Sequence, residues 1–183
     1  MHLNWSFGLT NTEAPPEEKI FGLQWLLLDV EAGKGRLYLA KNVLYQAPYH
    51  KKWEPTTWAE CELRDKLREE LLPALAKKDR ALAEKIQATP IHTPDNTYWD
   101  TSGGRDVTDQ IWLLSIEEAQ RYFNRDSERV AKFNNEAAWW WLRSPGVYQT
   151  GAAYVNIGGY VYLYGNDVTH EAGGVRPALW LNL

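Results

Sequence analysis

The stretch from Trp139 to Leu183 constrains this chain more than any other, because two kinds of position interleave in it. A sparse frame of glycine, alanine and valine (Ala152, Ala153, Val155, Gly159, Val161, Gly165, Val168, Gly174, Val175) alternates with residues that obey no apolar rule. Those residues are Tyr148, Asn156, Tyr160, Tyr162, Tyr164, Asn166, Asp167 and His170. In Tyr160-Val161-Tyr162-Leu163-Tyr164 the period is two. A strand there aims Val161 and Leu163 at one face and three tyrosines at the other. Two readings fit such a face. One is cross-strand aromatic packing in a second core layer. The other is a binding surface, since Tyr joins stiff contact area to a polar tip while Asn, Asp and Gly supply adaptable hydrogen bonds. Asn166, Asp167, Thr169 and His170 follow directly, where a buried layer would continue apolar, and this favours the surface.

With 183 residues and 44% hydrophobic content, the chain suits one compact domain that buries roughly 70% of its unfolded surface. Residues 1–19 are polar, carry Pro15-Pro16 and read as an N-terminal arm; residues 20–183 form the domain, with a ligand-binding segment at 139–183. A formal net charge of -4 argues against nucleic acid, whose phosphates require a basic stripe. No charged-then-apolar leader stands at the N-terminus and no apolar run approaches a membrane span. The chain therefore reads as soluble and without a membrane segment of its own, cytoplasmic by default unless other machinery exports or displays it. Its oligomeric state is not legible. The single cysteine, Cys61, lies in a charged helical pattern and reads as a small half-buried residue. Ten tryptophans imply a rigid aromatic core or an exposed stacking surface, because each indole N–H needs a partner when buried.

Leu23–Val30 and Arg36–Ala40 read as a hairpin around Glu31-Ala32-Gly33-Lys34-Gly35. Thr57 and Glu60 have capping-box spacing and open a helix whose stripe is Leu63, Leu67 and Leu71, broken at Pro73. A weaker helical pattern follows through Leu75, Leu82 and Ile86, then a long Pro- and Gly-bearing loop at 88–108. Asp109–Leu114 is strand-like, and Ser115 with Glu118 repeats the capping box, so a second main helix runs to about Phe123. Residues 124–136 read as a polar bridge. The class is α+β, two main helices packed on an irregular, mostly antiparallel sheet with Gly-rich C-terminal loops.

Residues able to carry chemistry are scattered. His92, Asp95, Asp106, Asp109, His170 and Glu171 make no recognisable constellation, and no nucleophile elbow, zinc-protease helix, P-loop or dinucleotide fingerprint occurs. No catalytic residue, cofactor or metal site is expected, and His170 reads as a member of a contact surface. Arg143 and Arg176 stand in apolar or Gly-rich strands, the setting of a buried fork that bonds backbone carbonyls or a carboxylate.

The same residues carry a family signature. Trp-Trp-Leu-Arg-Ser-Pro-Gly (Trp140 to Gly146, after Trp139), Ala-Ala-Tyr-Val (Ala152 to Val155), the glycine and valine frame, and Gly-Val-Arg-Pro-Ala-Leu-Trp-Leu (Gly174 to Leu181) resemble a bacterial domain family of unknown function. That family in turn resembles the C-type-lectin fold, in the branch shared with the formylglycine-generating enzyme and the variable proteins of diversity-generating retroelements. In those variable proteins an adenine-directed mutagenesis rewrites chosen codons near the C-terminus while a frame keeps the fold. By that resemblance the adjustable positions are 147–151, 156–158 (including Ile157), Tyr160, 162–164, Asn166, Asp167 and 169–173. Gln149 and Glu171 cannot be reached from an Asn codon by changing its adenines. The resemblance does not carry over catalysis, which needs a cysteine pair, nor calcium, since Glu54-Pro55-Thr56 is a poor match to the lectin triplet.

The expected function is thus a ligand-binding module facing a protein or cell-surface ligand through Tyr148, Asn156, Ile157, Tyr160, Tyr162, Tyr164, Asn166, Asp167 and His170. Two rivals remain: a calcium-independent lectin of fixed specificity, and an enzyme with its site in loop 89–108.

Overall fold

A computed structural model describes residues 14–183. The segment read as an arm lies outside the described residues up to position 13. From Glu17 it is a strand: β1 (Glu17–Ile20) pairs antiparallel with β2 (Leu23–Glu31). β2 continues into β3 (Gly35–Ala40), the hairpin expected from the glycines, with Gly33 and Gly35 at φ 81° and 106°. A short β4 (Tyr45–Gln46) and a loop lead to the first helix.

That helix departs from expectation at both ends. It is α1 (Glu62–Lys66), starting after Cys61 with no side-chain cap. Thr57 instead accepts the N–H groups of Glu60 and Cys61 on its carbonyl, at 3.1 and 3.0 Å. Its side chain packs against Gly104 and its hydroxyl makes no hydrogen bond among the described residues: a Cβ built on Gly104 would lie 2.7 Å from it. Cys61 is accordingly fully buried, not half-buried. Nor does Pro73 end the helix. The backbone widens into a π-type turn over Leu67–Leu71 and resumes as α2 (Leu72–Lys78), with Pro73 in its first turn. Proline lacks an N–H and its ring collides with the carbonyl four residues back in a regular helix; the π turn immediately before it is the observed accommodation. Leu63, Leu67 and Leu75 are buried and Leu71 is half-buried.

A one-turn α3 (Arg80–Ala83) follows, capped by Asp79. The long loop is not wholly irregular, because its ends pair as β5 (Thr89–Ile91) and β6 (Val107–Asp109). β7 (Trp112–Leu113) runs into α4 (Ile116–Arg121), whose capping box is present as expected: Ser115 accepts from Glu118 N, and Glu118 reaches back to Ser115 N at 2.9 Å. The polar bridge is structured as α5 (Asp126–Arg129), β8 (Ala131–Phe133) and β9 (Glu136–Ala138). Asn134 and Asn135 both have positive φ, the geometry of a tight two-residue hairpin turn.

β10 (Trp140–Pro145), β11 (Gly151–Val155), β12 (Val161–Asp167), β13 (Gly174–Val175) and β14 (Pro177–Leu181) complete the chain. Two five-stranded sheets result, ordered β1-β2-β3-β14-β7 and β12-β11-β10-β13-β4. Among the described residues all strand pairs are antiparallel except β10 with β13. The architecture is α+β with mostly antiparallel sheets, one long interrupted helix and a short α4. The chain crosses from the second sheet to the first at Arg176, between β13 and β14. No helix among the described residues is long and apolar enough to cross a membrane.

Candidate ligand-binding surface

β12 is the outer strand of its sheet, and the period of two is visible in its burial: Val161 and Leu163 are half-buried, Tyr162 and Tyr164 open. Tyr160, just before the strand, is 59% exposed, and Tyr162 and Tyr164 are 48% and 54% exposed. They are not a second core layer. Tyr162 stacks on Tyr154 of β11 with ring centroids 5.2 Å apart, Tyr154 meets the edge of Trp139 at 5.2 Å, and Trp139 meets His170 at the same distance. Burial raises the Tyr154 phenol, with Tyr162 adding to it. One ribbon of rings therefore joins Tyr162 to His170 across the sheet.

At the far end of β12, Tyr148, Tyr164, Asn166 and Asp167 line a shallow cavity of about 240 Å³. Gly165 makes that approach possible: its φ is 87°, and a Cβ there would sit 2.8 Å from the Ala152 carbonyl oxygen and the Gly146 Cα. Gly173 is needed for a different reason, since a Cβ would overlap the Trp141 indole.

Asn156, Ile157 and Tyr160 occupy the β11–β12 turn at the other end. The Asn156 side-chain oxygen accepts from the N–H of Gly158 and of Tyr160 at 2.9 and 3.0 Å, so this residue shapes the turn. Ile157 is exposed, and the Tyr160 ring lies over Gly158. His170 Nδ1 accepts from Ala172 N, and Asn166 Oδ1 from Asp167 N. These polar groups hold their own loops as well as facing outward.

Aromatic residues that the sequence reading passed over complete the surface. Trp53 is exposed and donates its indole N–H to Asp167 at 2.7 Å; Trp99 meets the edge of Tyr164 at 5.8 Å, with Tyr98 beside it. Their signal was local: a Trp inside Lys51-Lys52-Trp53-Glu54-Pro55 or Asn96-Thr97-Tyr98-Trp99-Asp100 has no apolar neighbours to be buried with. What the sequence could not supply is the anchoring. Asn96 donates to the carbonyls of Pro145 and Leu163, and Gln149 to those of Thr56 and Ser102. These bonds dock both loops at the β12 edge.

Arg143 and Arg176 are buried forks, as expected of their context. Arg143 donates to the carbonyls of Leu113 and His92, to Thr93 and to both oxygens of Glu118, which ties β10 to the α4 cap and to the loop. Arg176 donates to the carbonyls of Ala40 and Arg129. The groups considered for chemistry are placed apart. His92 and Asp106 pair at 2.7 Å on open surface, Asp95 accepts from Gly103 N, and Asp109 holds Trp58 and Arg64. Among the described residues no three His, Cys, Asp or Glu side chains are grouped to hold a metal ion.

No curated protein and no solved structure matches the chain. The family model described as domain of unknown function (DUF6273) matches residues 34–183, both sheets but for β1 and β2, together with the whole tyrosine surface, so the chain belongs to that family.

Proposed function

We propose that the chain is a ligand-binding module of C-type-lectin-like fold, a variable protein of a diversity-generating retroelement that presents the tyrosine-rich surface of residues 147–173 to a protein or cell-surface target. The observation that carries this reading is how burial sorts the segment. Ala152, Ala153, Val155, Val168 and Val175 are closed to solvent, whereas Tyr148 before them and Ile157, Tyr160, Tyr162 and Tyr164 between them are open. A frame that keeps the fold and a set of positions free to change is what such a protein requires. Gln149, out of reach of adenine-directed change, serves the frame by bonding two neighbouring loops. Large exposed aromatics rimmed by hydrogen-bonding groups have the composition of binding hot spots, and a domain without a partner gains nothing from them. Sequencing the DNA around the gene tests the proposal. The expected finding is a repeat that matches the codons of this segment except where the repeat carries adenine, beside a reverse-transcriptase gene; a locus with neither overturns the retroelement reading.

The near-parallel stack of Tyr154 and Tyr162, at 25° between planes, favours a second reading, a fixed-specificity, calcium-independent lectin that lays sugar rings on these aromatics. Saturable binding to one glycan class in the presence of a chelator, lost in Tyr162→Ser, would decide for it.

A further inference from the structure

Arg176 differs from the other buried arginines. Arg129 is paired with Asp126 and Arg143 with Glu118, but among the described residues no carboxylate pairs with Arg176. A guanidinium removed from water without a counter-ion is costly, and burial pulls this one down to about 9. The face of Trp140, 4.7 Å from the guanidinium carbon, offsets part of that cost. Two backbone carbonyls accept from Nε and Nη1, at 2.8 and 3.0 Å, and Nη2 makes no hydrogen bond among the described residues.

Arg176 lines a cavity of about 400 Å³, within the usual range of small-ligand sites. Lys132 and Lys41 line it too. Lys41 is bound to Glu17 at 2.7 Å, and Glu128 is held by Arg125 at 3.1 Å and by the Asn124 N–H, also at 3.1 Å. Lys132 has no carboxylate partner among the described residues, so the cavity's carboxylates are engaged while two of its cations are not. Leu26, Val130 and Pro15 supply an apolar wall. None of the lining residues belongs to the tyrosine surface.

We propose that this cavity binds a small organic carboxylate, its head taken by Arg176 and Lys132 and its short hydrocarbon part laid against Leu26 and Val130. The guanidinium edge suits a planar carboxylate better than a point charge does, and the half-apolar wall suits a carbon chain better than a bare inorganic anion.

Titration of the full chain with acetate, butyrate and inorganic phosphate, at constant ionic strength with chloride as the balance, tests this. Butyrate is expected to bind saturably and more tightly than acetate, to raise the melting temperature, and to shift the Arg176 side-chain Nε–Hε resonance with the same dissociation constant. Because Arg176 variants are expected to unfold, Lys132→Ala is the informative change. Lys132 is exposed, so the unliganded melting temperature should hold while butyrate affinity falls at least tenfold. No saturable shift, equal binding in Lys132→Ala, or binding of phosphate without the carboxylates would each overturn the proposal.

Discussion

Trp141, Tyr154 and Tyr162 stand directly opposite one another on β10, β11 and β12, one row of three aromatic rings across three strands, yet the two ends of the row live in different solvents. Trp141 is closed to water, with Tyr49 and Trp139 edge-on at 5.8 and 4.7 Å, Gly173 packed against its ring, and its N–H bonded to the Ala47 carbonyl at 2.9 Å. Among the described residues Tyr162 has one ring neighbour, Tyr154, and it is 48% exposed. Aromatic content does not separate them. Position does: β10 lies inside its sheet and is buried on both faces, while β12 is the outer strand and is covered on one. The run Trp139-Trp140-Trp141-Leu142 matches a strand buried on both faces, and Tyr160 to Tyr164 matches one buried on a single face.

The largest effect that would break this contrast is at its inner end. Trp141→Ala removes a buried ring and leaves the Ala47 carbonyl without its donor, so a loss of about 3–5 kcal/mol is expected. The chemical denaturation midpoint measures it. A change under about 1 kcal/mol would mean that the inner end is no more essential than the outer.

The interior also has a pH signature. Burial pushes the Cys61 thiol from 9.0 up to about 12, and the Tyr122 phenol, with Asp29 nearby, from 10.0 to about 12. Below about pH 9 the thiol is neutral in folded and unfolded chains alike, and its contribution is whole. As pH rises toward about 12 only the unfolded chain ionises, so stability falls with pH across that window. For Cys61 alone the loss is about 1 kcal/mol by pH 10. Cys61→Ala should flatten the first part of the decline in a series of melts between pH 8 and 11, and an unaltered slope would count against a buried thiol.

What was legible in the sequence was what local chemistry decides. The β2–β3 hairpin follows from Gly33 and Gly35, and the α4 start follows from Ser115 and Glu118, whose partners are three residues apart. The same spacing at Thr57 and Glu60 misled, because the Thr57 side chain is claimed by Gly104, a neighbour that only the fold supplies. The β8–β9 ribbon carried a readable turn signal in Asn134-Asn135, but its strands are too short and polar to show alternation. On the surface, the tyrosine face was legible from period two. Trp53 and Trp99 were not placed on it, because Asp167, Asn96 and Gln149 bring them there through bonds between residues distant in the chain.

The smallest expected effect is at the outer end of the row, and it sharpens the contrast most. Tyr162→Ser removes a ring that is half in water, leaves no cavity, and strands no buried hydrogen-bonding group, since Tyr162 makes no side-chain hydrogen bond among the described residues. The stack with Tyr154 is the one interaction lost, and a partly exposed aromatic pair is at the weak end of about 0.5–1.5 kcal/mol. Stability should therefore fall by about 0.5 kcal/mol, a shift of roughly 1–2 °C in a chain of this length. Val161→Ala is the matched control on the half-buried face of the same strand, where deleting packed methyl groups should cost more than the whole exposed ring does. Calorimetry on the two variants ranks them. If Tyr162→Ser proves the more damaging, the tyrosines hold the sheet together, and the surface loses its freedom to vary.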